Sequence, residues 1–257
     1  MENELRTALI QTDLVWEDAQ SNRNMFEEHM KPLNGKVDLI ILPEMFTTGF
    51  TMNPTSCAET MDGKSLKWLK QLAAQLNSAI SGSLVIKESE RFYNRLVFVQ
   101  PDGTVTHYDK RHTFTLSGED KAYCAGNKKK IITYKGWKIC PLICYDLRFP
   151  VWSRNTEDYD LLIYVANWPD KRILAWDTLL RARAIENLAY SIGVNRLGLD
   201  GEQIDYSGHS AVYDPLGNTL SYSEKKETLI TTLAKSTLLE HRNKLRFLHD
   251  RDQFTVT

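Results

Sequence analysis

The sequence predicts a fold of mixed α and β class, and three observations carry that reading. Short β-rich runs alternate with helical stretches throughout the chain. An apolar share of 42% and a charged share of 25% suit a globular chain with a sizeable core. No internal repeat, low-complexity tract or linker-like stretch interrupts the 257 residues, so 1–257 is expected to form one domain.

The elements follow from local composition. Strands are expected at 7–11, 38–42, 79–85, 95–100, 104–108, 137–143, 160–165, 191–195, 209–213 and 228–233, each a short run rich in apolar and β-branched residues. Helices are expected at 21–30, 65–77, 173–188 and 235–243. Asp102-Gly103 and Leu216-Gly217-Asn218 separate strand-like runs and read as hairpin turns. Ile139-Cys140-Pro141-Leu142-Ile143-Cys144-Tyr145-Asp146 reads as a buried strand ending in a turn. A nucleophile there would sit on a strand-to-helix turn beside free backbone N–H groups, which can hold a developing oxyanion.

Charge and termini exclude several classes. A net charge of −1, from 32 basic and 33 acidic residues, argues against a nucleic-acid partner. The acidic start Met1-Glu2-Asn3-Glu4-Leu5-Arg6 does not resemble a secretory leader. No apolar run approaches the roughly 20 residues that span a bilayer, so no membrane association is expected. With no Asn-x-Ser/Thr glycosylation site, Cys57, Cys124, Cys140 and Cys144 are expected as reduced thiols in the cytoplasm.

Some motif readings fail on inspection. Asp62-Gly63-Lys64-Ser65 ends like a phosphate loop, but Ala58 stands where that loop needs glycine, and Ser65 starts a helix instead. Gly208-His209-Ser210-Ala211-Val212 breaks the serine-hydrolase elbow at its last position. Cys140 and Cys144 are too far apart for C-x-x-C, and no helical His pair accompanies them, which argues against zinc.

Three segments carry chemistry: Ile41-Leu42-Pro43-Glu44-Met45-Phe46, Tyr108-Asp109-Lys110-Arg111-His112, and Cys144 at its turn. Singly, each has an ordinary structural explanation: a solvated carboxylate, a surface lysine, a small core thiol. Together they resemble the nitrilase, or carbon–nitrogen hydrolase, superfamily. The resemblance continues through Cys144-Tyr145-Asp146-Leu147-Arg148-Phe149-Pro150, Ala166-Asn167-Trp168-Pro169, Arg181-Ala182-Arg183-Ala184-Ile185-Glu186-Asn187, Gly193-Val194-Asn195-Arg196 and Asp214-Pro215-Leu216-Gly217. It implies a four-layer α-β-β-α sandwich, a Glu44–Lys110–Cys144 catalytic set and at least a homodimer. Within the superfamily the chain looks similar to the ω-amidases, which hydrolyse the side-chain amide of 2-oxoglutaramate and 2-oxosuccinamate.

What the resemblance implies for the residues is chemically coherent. Glu44 would take the thiol proton of Cys144 and later deliver it to the leaving ammonia. Lys110 would favour the thiolate and then the oxyanion, with the N–H of Tyr145 as a second donor. Glu119, or its neighbour Asp120, corresponds to a second family acid that orients the lysine. Arg148 reads either as a clamp for a substrate carboxylate or as a structural ion pair with an acid such as Asp146. Phe114 and Trp168 read as pocket walls or as core aromatics. The scheme needs a small-molecule amide and no metal or organic cofactor. Two other readings remain: a thiol enzyme pairing Cys144 with His112 or His209, and an inactive relative serving as a binding module.

Overall fold

The computed structural model describes residues 4–256. Residues 1–3, part of the acidic start, lie outside it.

The strands form two six-stranded sheets. The first has the order β14 (Glu227–Ala234), β1 (Glu4–Gln11), β2 (Leu39–Ile41), β3 (Ala79–Glu88), β4 (Arg91–Val99), β5 (Val105–Asp109). The second runs β13 (Thr219–Ser223), β12 (Ser210–Tyr213), β9 (Tyr190–Val194), β8 (Leu161–Val165), β7 (Trp137–Ile143), β6 (Ile132–Tyr134). A separate hairpin pairs β10 (Leu197–Leu199) with β11 (Asp205–Ser207). Of these, β6, β10, β11 and β13 were not expected from the sequence. They are short or half-exposed and lack a long apolar run.

Strand β1 shows why the sheets stack. Leu5 and Leu9 join the core shared with the second sheet, whereas Ala8 and Ile10 join a core with helices α1 (Ala19–Met30) and α3 (Lys64–Leu76). In β4, Leu96 and Phe98 face one way and Val97 and Val99 the other. Buried on both faces, such strands read as continuous apolar runs rather than alternating ones. Trp176, Leu180 and Ala184 of α6 (Ile173–Asn187) cover the second sheet. The layers are therefore α-β-β-α. Four further helices complete the set: α2 (Pro54–Cys57), α4 (Glu119–Ala122) and α5 (Pro150–Ser153) are single turns, and α7 (Lys235–Leu245) follows β14.

Helix ends follow their caps. Helix α1 begins before the expected Ser21, because the Asp18 carboxylate accepts the Ser21 N–H at 3.0 Å. Asn77 and Leu188, expected inside helices, instead end α3 and α6 in the left-handed conformation. His209, expected in a strand, is also left-handed, with φ 63°, and β12 starts one residue later. Both expected hairpin turns form, closing β4 on β5 and β12 on β13.

The two sheets repeat one pairing pattern. Reading outward from β14 and from β6, the neighbours run antiparallel, parallel, parallel, antiparallel, antiparallel. Thus β2 corresponds to β8, and the loops leaving the two strands meet, with Asn167 after β8 donating to Glu44 after β2. Ligands of such sheets gather outside the carboxyl ends of the parallel strands.

Gly126 marks a tight junction here. Its N–H donates to the Lys110 carbonyl at 2.8 Å. A Cβ would stand 2.2 Å from the Asp109 carbonyl oxygen, where no side chain can yield. Gly126→Ala is expected to cost about 1–3 kcal/mol in urea unfolding, the usual scale of overpacking. Wild-type stability in that variant would show that this backbone has room to move.

Candidate active site

Glu44, Lys110, Glu119 and Cys144 come together between the sheets. Glu44 lies in the turn leaving β2. That turn is held by the Met45 N–H on the Ser83 hydroxyl at 2.8 Å and the Phe46 N–H on the Ser83 carbonyl at 3.1 Å. Lys110 follows β5, its N–H on the Asn94 carbonyl of β4 at 3.0 Å. Its ammonium donates to Glu44 Oε1 at 2.8 Å and to Glu119 Oε1 and Oε2 at 3.0 and 2.9 Å. All three side chains are at most 1% exposed. Glu119, rather than Asp120, is the acid on Lys110.

Two carboxylates and one ammonium leave a buried excess of negative charge, which requires donors. Asn94 Nδ2 reaches Glu44 Oε1 at 2.8 Å and Glu119 Oε1 at 3.2 Å. The Asn167 N–H reaches Glu44 Oε2 at 2.8 Å, and the Phe114 N–H reaches Glu119 Oε2 at 2.5 Å. Asn94 is itself oriented by the Ser83 hydroxyl on its Oδ1 at 2.8 Å.

Cys144 sits at the end of β7 with φ 43°, a left-handed position that β-carbon sterics disfavour. A 3-10 turn, Cys144–Arg148, follows. Asp146 holds that turn by accepting the Ile143 N–H at 3.0 Å, the Tyr108 hydroxyl at 2.7 Å and the His112 N–H at 3.0 Å. The thiol lies 3.9 Å from the Asn167 carbonyl and opens on a cavity of about 790 Å³. Lys110, Tyr145, Arg148, Phe114 and Trp168 share its lining.

Comparison with known proteins places this arrangement. Residues 6–242 match the family model for carbon-nitrogen hydrolases. The chain belongs to that family. An ω-amidase, YafV, of Yersinia enterocolitica is 44% identical over 98% of both chains. A 2-oxoglutaramate amidase of Bacillus subtilis is 30% identical over 86% of this chain and 87% of its own. A crystal structure of XC1258 from Xanthomonas campestris, a CN-hydrolase superfamily protein with an arsenic adduct in its active site, superposes with a TM-score of 0.97. It is 43% identical and 99% of each chain is covered.

Burial dominates the electrostatics of the site in this carbon-nitrogen hydrolase. Burial pushes the Cys144 thiol well above its ordinary pKa, and Glu44 adds to the rise while Lys110 opposes it. Burial thus favours the protonated thiol, while Lys110 still favours the thiolate. Burial pulls the Lys110 ammonium down, but Glu119 and Glu44 outweigh it and the group is raised overall. Burial likewise raises Glu119, against Lys110.

Neither histidine offered as an alternative base lines the cavity. His112 Nδ1 contacts Asp146 at 2.8 Å and its ring stacks on Phe149 at 3.7 Å, whereas His209 Nδ1 contacts Asp177 at 3.0 Å. Asp146 is thereby occupied, and the ion pair with Arg148 is not formed. The Arg148 guanidinium lies instead over Trp168, 4.8 Å from its ring centre.

The sequence reading missed Asn94, Asn167 and Asn195 as parts of the site. Asn195 Oδ1 accepts the Trp168 N–H at 2.8 Å and its Nδ2 donates to the Trp168 and Gly208 carbonyls. The available signal was an asparagine inside or just after an apolar strand, a residue strands otherwise avoid.

The raised thiol gives a direct test. Alkylation of Cys144 by iodoacetamide, mapped by mass so that Cys57 and Cys124 are separated, should keep accelerating from about pH 7 to about pH 10. A plateau reached below about pH 8.5, the ordinary thiol range, would show an activated thiolate instead.

Proposed function

We propose that this carbon-nitrogen hydrolase cleaves the ω-amide of a short 2-oxo dicarboxylic acid monoamide, such as 2-oxoglutaramate, to the acid and ammonia. The observation that carries the proposal is a thiol, a carboxylate and an ammonium buried together at a cavity that also holds Arg148. The names of the ω-amidase and 2-oxoglutaramate amidase relatives support the same substrate class.

In this reading Glu44 takes the Cys144 proton as Sγ adds to the amide carbon, so the buried thiol never has to ionise alone. The oxyanion faces Lys110 Nζ and the Tyr145 N–H, donors that strengthen as charge develops. Glu44 passes the proton to the amide nitrogen, the C–N bond breaks and ammonia leaves a thioester. Water, losing a proton to Glu44, then adds to the thioester carbon. The C–S bond breaks and the sulfur recovers the proton. Glu119 positions Lys110 and does not touch substrate. Phe114 and Trp168 wall the pocket, and Arg148 takes the carboxylate of the acyl part.

Residues 1–257 act in this reading as one catalytic domain, since both sheets supply groups to the site. The protein works on a small-molecule amide, in the cytoplasm, as a homodimer or larger homo-oligomer. No helix of the described residues is long and apolar enough to cross a membrane. Exposed Ile185, Leu216 and Leu220 on α6 and the β12–β13 hairpin supply an apolar face for self-association.

Ammonia release from a panel of ω-amides tests the reaction. The wild type should turn over 2-oxoglutaramate, Cys144→Ala should not, and Glu44→Gln should lose at least on the order of 10²-fold. His112→Asn should lose far less. A dead His112→Asn beside a working Glu44→Gln would overturn the mechanism. Separately, Arg148→Lys should depress kcat/KM for carboxylate-bearing amides much more than for uncharged ones, because lysine cannot make the two-pronged contact. Equal losses would return Arg148 to a structural role.

A further inference from the structure

We infer that Arg172 is a second specificity-determining residue, which with Arg148 selects an acyl group carrying a carboxylate and an adjacent oxo group. The inference rests on the function proposed above and names the feature of the substrate that the second arginine reads.

Arg172 lines the same cavity as Cys144 and Arg148. Its guanidinium lies over the Phe114 ring, 5.2 Å from the centre, as that of Arg148 lies over Trp168. A single indole organises both arginines. Trp168 carries Arg148 on its face and donates its Nε1–H to the Arg172 carbonyl at 2.9 Å. The Arg172 N–H closes the turn on the Pro169 carbonyl at 3.0 Å.

The start of α6 does not call for a cation at this position. Arg172 is the N-cap of α6, where the helix dipole disfavours positive charge and where its side chain caps no N–H. Among the described residues neither guanidinium forms an ion pair. Of the three carboxylates lining the cavity, Glu202 is exposed and is not paired with either arginine, and the other two are committed elsewhere. Asp200 accepts the Tyr206 hydroxyl at 2.8 Å and the N–H groups of Glu202 and Ile204, and Glu17 accepts the Thr51 hydroxyl at 2.5 Å.

An arginine resting on an aromatic face keeps its in-plane N–H edges available. Two such forks on one cavity repel each other and offer more donors than one carboxylate can fill. A 2-oxo acid presents three acceptor oxygens in or near one plane, two from the carboxylate and one from the ketone. A simple carboxylate presents only two. The second fork therefore discriminates the 2-oxo acid from its deoxo analogue, while the first reads the carboxylate common to both.

The test compares kcat/KM for 2-oxoglutaramate, glutaramate (the same chain with CH2 for the ketone) and pentanamide. Arg172→Met keeps an apolar stem on Phe114 and removes the fork. In it the 2-oxoglutaramate to glutaramate ratio should fall about tenfold or more, the scale of a lost hydrogen bond to a charged group. The glutaramate to pentanamide ratio should fall less, and Arg172→Lys should recover little. A ratio that stays at the wild-type value overturns the inference however much overall activity drops, because a structural loss acts on all three substrates alike. Calorimetric titration of Cys144→Ala with 2-oxoglutarate, with and without Arg172→Met, decides the point independently of turnover. At least about tenfold weaker binding in the double variant supports Arg172, even if no ω-amide is hydrolysed and the proposed reaction fails. Equal binding, or none in either protein, overturns it.

Discussion

The Lys110 ammonium sealed between Glu44 and Glu119 is the interaction on which the rest of the site depends. A buried ion pair that loses one partner is destabilised by about 3–5 kcal/mol, because the remaining charge stays in a dry environment. Here the imbalance is built in, two carboxylates to one ammonium, so every other donor near them is obligatory. Asn94 serves both carboxylates from β4, the Phe114 N–H fixes the loop that carries Glu119, and the Asn167 N–H arrives from the opposite sheet. The last contact ties the two halves of the molecule together at the point of chemistry, reinforced by Asn167 Nδ2 on the Glu44 carbonyl at 2.6 Å.

That charge balance also explains the state of the nucleophile. A thiolate at Cys144 would add another negative charge to a site already in excess, and burial makes this costlier. Keeping the proton avoids that penalty, and in the proposed mechanism Glu44 accepts it only as an electrophile arrives, without changing the total charge. The strained left-handed backbone at Cys144 belongs to the same arrangement. It ends the strand abruptly, and Asp146 stabilises the bend through the Ile143 N–H while His112 and Tyr108 hold Asp146 in place. His112 thus supports the elbow through Asp146.

The repeated pairing pattern of the two sheets gives the site its location. Glu44 leaves β2 and Asn167 leaves β8, strands in corresponding positions of the two halves, so a residue from each meets near the axis between the sheets. The sequence shows no such repeat. The halves share the hydrogen-bond order of their strands and not the identities of their side chains.

By itself the sequence determined most of the strands, the four long helices and the candidate residues that the structure brings together at the cavity. Apolar periodicity, strand-end position and the segments around Glu44, Lys110 and Cys144 are local properties that survive without three-dimensional context. Four short strands escaped notice because half-exposed edges such as β13 carry little apolar signal. Only the tertiary structure decided that Glu119, not Asp120, meets Lys110, that Asp146 pairs with His112 rather than Arg148, and that Arg148 and Arg172 both line the cavity. Those choices join residues far apart in the chain. They are settled by which donors can reach a buried carboxylate once the sheets have stacked, and no local pattern encodes that reach.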